Sequence, residues 1–225
     1  MSAHQTEILA DDDAVARRGA SFAAERARAA VDARGRFTLA VSGGRTPWVM
    51  FAHLADEEIP WEQVTVFQVD ERIAPDGDPD RNLTHLRESL PAAGLARLVA
   101  MPVNDPEPDS AAAAYAARLP GRLDLVHLGL GDDGHTASLV PGDPVLEVSD
   151  RDVAVTGEYQ GRRRMTLTYP ALSRAAELLW LVTGAEKAGP LHQLLLQDPA
   201  IPAGRVRASR SFVLADTAAA AKMPA

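Results

Sequence analysis

The sequence contains no cysteine among its 225 residues, which excludes disulfide bonds, thiolate nucleophiles and cysteine-ligated zinc. It also lacks any apolar run that approaches the length needed to cross a membrane. The first segment, MSAHQTEILADDD, is polar and acidic, whereas a secretory signal begins with a basic region followed by an apolar one. We therefore expect a cytoplasmic protein without a membrane partner.

Positive charge is also scarce. The chain has 23 basic against 31 acidic residues and a net charge of −8, which argues against a nucleic-acid partner. Only two of the basic residues are lysines, Lys187 and Lys222. Lys222 lies in the low-complexity segment TAAAAKMPA, and we expect this tail to fray after about residue 217. Lys187 lies within the folded body, where a compact ammonium group either has a task that arginine cannot perform or occurs by chance.

Strand-like and helical segments alternate along the chain. Hydrophobic residues make up 46% of the sequence, no linker divides it, and its length suits one domain over residues 1–225. Short apolar strands separated by helices predict an α/β fold with a mostly parallel central sheet and helices on both faces, Rossmann-like and doubly wound. The strands are expected at 36–41, 64–69, 97–103, 123–130, 152–156, 164–168, 177–182 and 212–214, and the helices at 11–31, 48–56, 107–119 and 185–197.

Polar clusters follow four of the predicted elements, and they are SGGRTP (42–47), DER (70–72), GDDGHTAS (131–138) and GAEK (184–187). Sheets of this kind bind ligands beyond the carboxyl ends of their strands. Four polar clusters in these positions are more than ordinary connecting loops would need. The sequence therefore predicts that they meet in one binding site.

The SGGRTP cluster is typical of a phosphate-binding turn between a strand and a helix. Gly43 and Gly44 let the backbone approach a ligand closely, and Ser42, Arg45 and Thr46 surround them. Backbone N–H groups at a helix start point toward an anion and are aided by the helix dipole. The alternative is a tight turn that uses glycine only for its geometry.

The DER cluster places a carboxylate and a guanidinium on one side of a strand. Side chains alternate along a strand, so Asp70 and Arg72 share a face while Glu71 points the other way. Together they could hold a polar substrate. The alternative is a surface ion pair of small energetic value.

The stretch GLGDDGHTASLVPG (129–142) permits three interpretations. Its glycines match the dinucleotide pattern G-x-G-x-x-G, but Asp132 and Asp133 would then lie beside a pyrophosphate. A metal site could combine Asp133, His135 and Asp70, although common zinc sites use two or three histidines. In the third interpretation His135 is a general base, and an aspartate fixes its tautomer. The absence of cysteine and of a G-x-S-x-G motif leaves activated water as the nucleophile for any hydrolysis.

Taken in order, these clusters resemble the 6-phosphogluconolactonase family. The segments that carry the resemblance are SGGRTP (42–47), DER (70–72), GLGDDGHTASLVPG (129–142), RMTLTYPAL (164–172), VTGAEKA (182–188) and IPA (201–203). The resemblance implies hydrolysis of a phosphorylated sugar lactone, 6-phosphogluconolactone, in the pentose phosphate pathway. It also implies that His135 activates water and that the SGGRTP loop with Lys187 surrounds the substrate phosphate.

Within that resemblance we expect Asp133 or Asp70 to orient the His135 ring. We expect Arg72, or the loop N–H groups near Gly131 and Gly134, to stabilise the developing oxyanion. No metal or cofactor is expected, because the lactone is an ester and an ester is easier to hydrolyse than an amide. We expect a monomer or a small homo-oligomer. The sequence departs from the family pattern at Arg45, where a small hydroxyl residue is usual, and at Val140, where an aromatic residue is usual. Val140 suggests a slightly different pocket wall, and Arg45 either adds a cation near the phosphate or points to solvent.

Two other functions remain open. Glucosamine-6-phosphate deaminase shares the glycine loop and a DGH motif, but there a glutamate assists proton transfer where this chain has Val140. Valine cannot carry a proton, so the sequence favours the lactonase. A sugar-phosphate sensor without catalysis is the other possibility on the same scaffold.

Overall fold

The computed structural model describes residues 4–223. The strands of this part of the chain are β1 (Gln5–Leu9), β2 (Phe37–Val41), β3 (Val64–Gln68), β4 (Asp70–Arg72), β5 (Leu98–Val99), β6 (Leu125–Leu128), β7 (Val153–Val155), β8 (Arg164–Leu167), β9 (Glu177–Val182) and β10 (Ser211–Asp216). Its helices are α1 (Asp12–Arg34), α2 (Arg45–His53), α3 (Asn82–Ser89), α4 (Ala92–Leu95), α5 (Pro108–Ala116), α6 (Tyr169–Ser173), α7 (Ala188–Leu195) and α8 (Pro202–Arg205). Short 3₁₀ turns cover Leu54–Asp56, Trp61–Gln63, Pro144–Glu147, Ala185–Lys187 and Ala219–Lys222.

Seven strands form one parallel sheet in the order β1-β10-β9-β6-β2-β3-β5. The central strand β6 shows how its two faces are covered: Leu125 packs into one hydrophobic core and Val126 into the other. Helices α1 and α2 supply Phe22 and Phe51 to the first core, while α5 and α7 supply residues such as Tyr115 to the second. The prediction of an α/β fold with a mostly parallel sheet covered on both faces is confirmed.

The strand order reverses between β2 and β6, because the chain runs outward from β2 through β3 on one side and from β6 through β9 on the other. Parallel sheets open a crevice beyond the carboxyl ends of the strands at such a switch point. Val41 ends β2 and Leu128 ends β6. The topology therefore brings the segments after residues 41 and 128 to one crevice.

The predicted strands at 152–156 and 164–168 exist, but they do not join the central sheet. As β7 and β8 they form a small antiparallel sheet with β4, in the order β4-β8-β7. The strand β4 is the DER cluster, and its pairing sets Arg72 opposite Arg164. This second sheet brings a basic residue from late in the chain beside the DER cluster.

The ends of the described chain differ from expectation. Strand β1 lies at the sheet edge, mostly exposed, and pairs with β10 although its sequence QTEIL is polar. The tail after residue 217 was expected to fray, but up to Met223 it packs against the protein. Ala219 is fully buried, and its N–H donates to the Asp216 carboxylate at 2.7 Å. No helix within residues 4–223 is both long and apolar enough to cross a membrane.

Candidate active site

A cavity of about 310 Å³ lies at the switch point of the sheet. Nine of the ten predicted site residues line it, and the tenth, Asp133, does not. The nine are Ser42, Gly43, Gly44, Arg45, Thr46, Asp70, Arg72, His135 and Lys187. The remaining lining residues are Pro47, Trp48, Asn82, Gly129, Leu130, Gly131, Asp132, Ala137, Arg164, Leu181, Val182, Thr183 and Glu186. The four polar clusters of the sequence therefore meet in one place.

The glycine loop joins β2 to the start of α2 in a conformation that only glycine suits. Gly44 has φ 133°, and a Cβ on Gly43 would lie 2.1 Å from the Asn82 side-chain oxygen. Helix α2 begins at Arg45 without a side-chain cap, so its first N–H groups have no intrahelical acceptor. The Thr46 hydroxyl lies 2.7 Å from that of Thr183, which follows β9. The loop thus presents backbone donors and hydroxyls to the cavity, an arrangement suited to an anion.

The buried residue His127 anchors the start of this loop through two hydrogen bonds. The Ser42 N–H donates to Nδ1 of His127 at 3.3 Å, and the Ser42 hydroxyl donates to the His127 carbonyl at 3.2 Å. Burial lowers the pKa of His127 to about 3, so its ring is neutral and can accept that hydrogen bond. His127 is a packed, structural residue, as its position in the middle of a strand indicates.

His135 is fixed by its own turn. Oδ1 of Asp133 lies 2.6 Å from Nδ1 of the ring and also accepts the His135 backbone N–H at 3.0 Å. Gly131 must be glycine, because a Cβ there would lie 2.1 Å from the same Nδ1. Gly134 has φ 79°, which closes the turn. Since Nδ1 faces a carboxylate, it carries the proton, and Nε2 is left as the basic nitrogen.

The charge of Asp133 suits this role. Burial alone would raise the pKa of the Asp133 carboxyl, but the His135 backbone N–H and the imidazole together hold that pKa below its ordinary value. The group is therefore ionised at neutral pH. An ionised carboxylate beside Nδ1 stabilises the imidazolium that forms when Nε2 accepts a proton.

Asp70, the other candidate for orienting the imidazole, makes different contacts. Its carboxylate accepts the Ser138 hydroxyl at 2.6 Å and the Asn82 amide at 3.3 Å. Arg72 does not pair with Asp70 directly, and its guanidinium donates instead to the Asn82 side-chain oxygen at 2.9 Å. Of the two predicted candidates, the geometry therefore assigns contact with His135 to Asp133 and leaves Asp70 in a polar network with Arg72.

Lys187 lies at the cavity with its Nζ 2.9 Å from Oδ1 of Asp132. The lysine side chain is 18% exposed, whereas that of Asp132 is 76% exposed. The hydrogen bond from Lys187 is the main cause of the lowered pKa of Asp132. A pair with one partner so open to water is weak, so Lys187 can exchange this partner for a bound anion.

Sequence reasoning assigned no role to Arg164, Asn82 or Thr183, all of which line the cavity. Arg164 is buried, and burial is the main cause that lowers its pKa. The sequence singled out Arg164 only as part of the segment RMTLTYPAL, which carries the family resemblance. Val140 is buried and lies outside the cavity lining, so the valine side chain does not itself form part of the pocket wall.

No metal centre forms in the part of the chain that the structure describes, where no group of three or more histidine, aspartate or glutamate side chains could hold an ion. The Asp70 carboxylate is engaged by Ser138 and Asn82, and among the described residues it makes no hydrogen bond to Asp133 or His135. The metal interpretation of the DDGH stretch therefore finds no support in the geometry.

An α/β domain with a polar, cation-lined cavity at its switch point defines a binder of small anionic molecules as a class. Residues 10–215 match the family described as glucosamine-6-phosphate isomerases/6-phosphogluconolactonase. The chain belongs to this family.

Similar proteins support the assignment. The chain is 34% identical to a 6-phosphogluconolactonase of Nostoc sp., covering 96% of this chain and 97% of that one. It is 37% identical to a 6-phosphogluconolactonase of Rhizobium meliloti, covering 86% and 88%. Its fold matches the crystal structure of a 6-phosphogluconolactonase from Shewanella baltica with a TM-score of 0.85 and 26% identity, covering 95% and 98% of the two chains.

Proposed function

We propose that the protein hydrolyses 6-phospho-D-glucono-1,5-lactone to 6-phosphogluconate in the oxidative pentose phosphate pathway. The observation that carries the proposal is the Asp133–His135 contact of 2.6 Å, with the ring lining the same cavity as the glycine loop and Lys187. The relatives named as 6-phosphogluconolactonases over nearly the whole chain support it. The enzyme acts in the cytoplasm, as a monomer or small homo-oligomer, without a cofactor.

The phosphate of the substrate binds at the glycine loop. The N–H groups at the start of α2, the Thr46 hydroxyl and the Lys187 ammonium supply its hydrogen bonds and positive charge. The protein carries a net charge of −8, so its overall field repels an anionic substrate and these local donors must attract it. Binding far from the reacting carbon fixes C1 of the lactone near His135.

His135 then acts as general base. Its Nε2 takes a proton from water as the water oxygen bonds to C1, and the lactone carbonyl oxygen becomes anionic. Arg72, with Arg164 opposite it in the antiparallel sheet, stabilises that charge. When the tetrahedral intermediate collapses, the bond from C1 to the ring oxygen breaks and the imidazolium returns its proton to that oxygen. The new carboxylic acid releases its own proton to water.

The geometry of the cavity supports neither of the two alternative functions. A deaminase-like isomerisation needs an acid–base group where Val140 stands, and that valine is buried away from the cavity. A sensor without catalysis has no use for an ionised aspartate held against the imidazole of a histidine that lines the binding site.

The test is a turnover assay with freshly generated lactone, corrected for spontaneous hydrolysis. His135→Ala should lower kcat by roughly 10²–10⁴-fold, the usual contribution of a general base. A matched control is His53→Ala, because His53 also contacts an aspartate, Asp13 at 3.1 Å, but lies outside the cavity lining. The control should retain wild-type activity. Absence of lactone turnover by the wild-type protein would refute the proposed function.

A further inference from the structure

A two-residue hairpin turn between β7 and β8 carries Tyr159 to the Asp133–His135 pair. Tyr159 and Arg162 pair across the turn, with N–H to carbonyl distances of 3.0 and 3.3 Å. The two residues between them, Gln160 and Gly161, have φ of 52° and 76°. Positive φ at both central positions is the geometry of the tight hairpin that matches strand twist. The turn therefore has a defined shape rather than being a loose connection.

The Tyr159 hydroxyl contacts the oxygen of Asp133 that His135 does not use. It donates to Oδ2 at 3.3 Å, while Oδ1 accepts from the His135 ring and backbone. The Tyr159 ring also lies edge-on to the imidazole, with centroids 5.8 Å apart and an interplanar angle of 64°. The distance to Oδ2 is long for an O–H···O bond, and catalytic hydrogen bonds often shorten once substrate is bound.

The hairpin is held in place from two sides. The Arg162 guanidinium contacts Asp78 at 2.9 Å and Asp80 at 3.3 Å, which ties the turn to the loop before α3. The Arg164 guanidinium lies 5.0 Å from the centroid of the Tyr159 ring. These contacts keep the tyrosine against Asp133 rather than in solvent.

The charge state of the tyrosine is consistent with a donor. Partial burial, followed by the negative charge of Asp133, raises the pKa of Tyr159. Its hydroxyl therefore keeps its proton at neutral pH. The Asp133 side chain is 39% exposed, and in the described part of the chain Tyr159 is the donor that reaches its second oxygen.

We propose that Tyr159 is a positioning residue for the reaction: its hydroxyl anchors Oδ2 of Asp133 and so keeps Oδ1 aligned with Nδ1 of His135. This inference rests on the proposed function, since Tyr159 acts only through His135. Tyr159 lies outside the cavity lining. It should therefore affect the rate of the chemical step and leave substrate binding unchanged.

The direct test is Tyr159→Phe, which removes the hydroxyl and keeps the ring. Because the bond is long at 3.3 Å, its loss should lower kcat by about twofold to tenfold, the effect of an ordinary hydrogen bond, with an unchanged KM. The matched control is Tyr169→Phe: the Tyr169 hydroxyl donates to the Pro202 carbonyl at 3.0 Å, and Arg205 lies 4.8 Å from its ring centroid, but it does not line the cavity. This control should leave kcat and KM unchanged.

A double-mutant cycle separates positioning from a structural role. If Tyr159 acts through Asp133, Tyr159→Phe should cost little or nothing further in an Asp133→Asn background, because contacts in one network are not additive. An equal loss of kcat in both backgrounds, or a change in KM alone, would overturn the proposal. If His135→Ala abolishes turnover while Tyr159→Phe has wild-type kcat, the positioning role fails and the proposed function stands.

A measurement without substrate makes the inference independent of activity. The imidazole resonances of His135, assigned by their absence from His135→Ala, should shift at fixed pH in Tyr159→Phe and stay unchanged in Tyr169→Phe. Unchanged His135 resonances in Tyr159→Phe would overturn the positioning role even if the protein proved not to hydrolyse the lactone.

Discussion

One carboxylate oxygen of Asp133 serves His135 twice, accepting the ring Nδ1–H at 2.6 Å and the backbone N–H at 3.0 Å. The two residues lie two positions apart in a turn that Gly134 closes with φ 79°. The pair is therefore assembled by a local turn rather than by distant elements. Its orientation toward the cavity is set before any substrate arrives, which is the preorganisation that the proposed general base needs.

Replacing the orienting carboxylate should cost activity without loss of fold. In Asp133→Asn the amide can donate to Nδ1, which would favour the tautomer whose Nε2 carries a proton and cannot accept one from water. We expect kcat for the lactone to fall by roughly 10²–10⁴-fold. Asp105→Asn is the control, because Asp105 accepts the Glu107 N–H at 2.9 Å in the same local arrangement away from the cavity. Equal kcat in the two variants would contradict the role of Asp133.

Lys187 should govern recognition of the phosphate. Removing an ammonium that contacts a phosphate oxygen should raise KM of Lys187→Ala about tenfold to a hundredfold, with a much smaller change in kcat. Lys222→Ala replaces the only other lysine of the sequence and should leave KM unchanged. Unphosphorylated gluconolactone should be a poor substrate of the wild-type protein, and Lys187→Ala should lose most of the preference. Equal use of both lactones by the wild type would contradict a phosphate site.

Much of the site could be predicted because it follows from strand ends. Apolar runs such as FTLAV and LVHL fix which segments are strands, and parallel strands bring the residues that follow them to one edge. The placement of Ser42, His135 and Lys187 at one edge of the sheet follows from this rule alone. Which of Asp133 and Asp70 contacts the His135 ring cannot be predicted from this rule, because it depends on the backbone angles of a glycine turn.

Features made by long-range pairing could not be predicted from the sequence. The segment 164–168 has the composition of a strand, but nothing in it shows that it leaves the central sheet to pair with β4 and set Arg164 opposite Arg72. Strand β1 is polar because it lies at an exposed edge, so its composition gave no strand signal. The alanines of the tail have the composition of a low-complexity segment, yet Ala219 is fully buried in the core.

Glu71 should matter for stability rather than for binding. Its fully buried carboxylate accepts the Asn82 and Leu83 N–H groups at 2.8 Å each, and so caps the start of α3. It also accepts the Arg72 N–H at 2.8 Å and the Gln68 amide at 2.9 Å. In Glu71→Gln an amide group must face these donors, so we expect the free energy of unfolding to fall by about 1–3 kcal/mol.

Urea denaturation at pH 7 measures this change. Glu88→Gln, on the exposed face of the same helix, should change the free energy of unfolding by less than about 0.5 kcal/mol. If both variants have the same midpoint, the carboxylate of Glu71 does not hold the start of α3.

Acid should destabilise the protein through His127. Burial holds its pKa at about 3 in the folded state, whereas in the unfolded chain it is close to 6.5. Between these values the unfolded chain binds a proton that the folded protein excludes, so stability falls as pH falls below about 6.5 and is unaffected above it. His127→Asn keeps an acceptor for the Ser42 N–H and cannot be protonated in this range. Urea unfolding from pH 7 to 4.5 should show the wild type losing up to about 1.4 kcal/mol more per pH unit than this variant. Parallel pH profiles for the two proteins would show that His127 is not held neutral beneath the glycine loop.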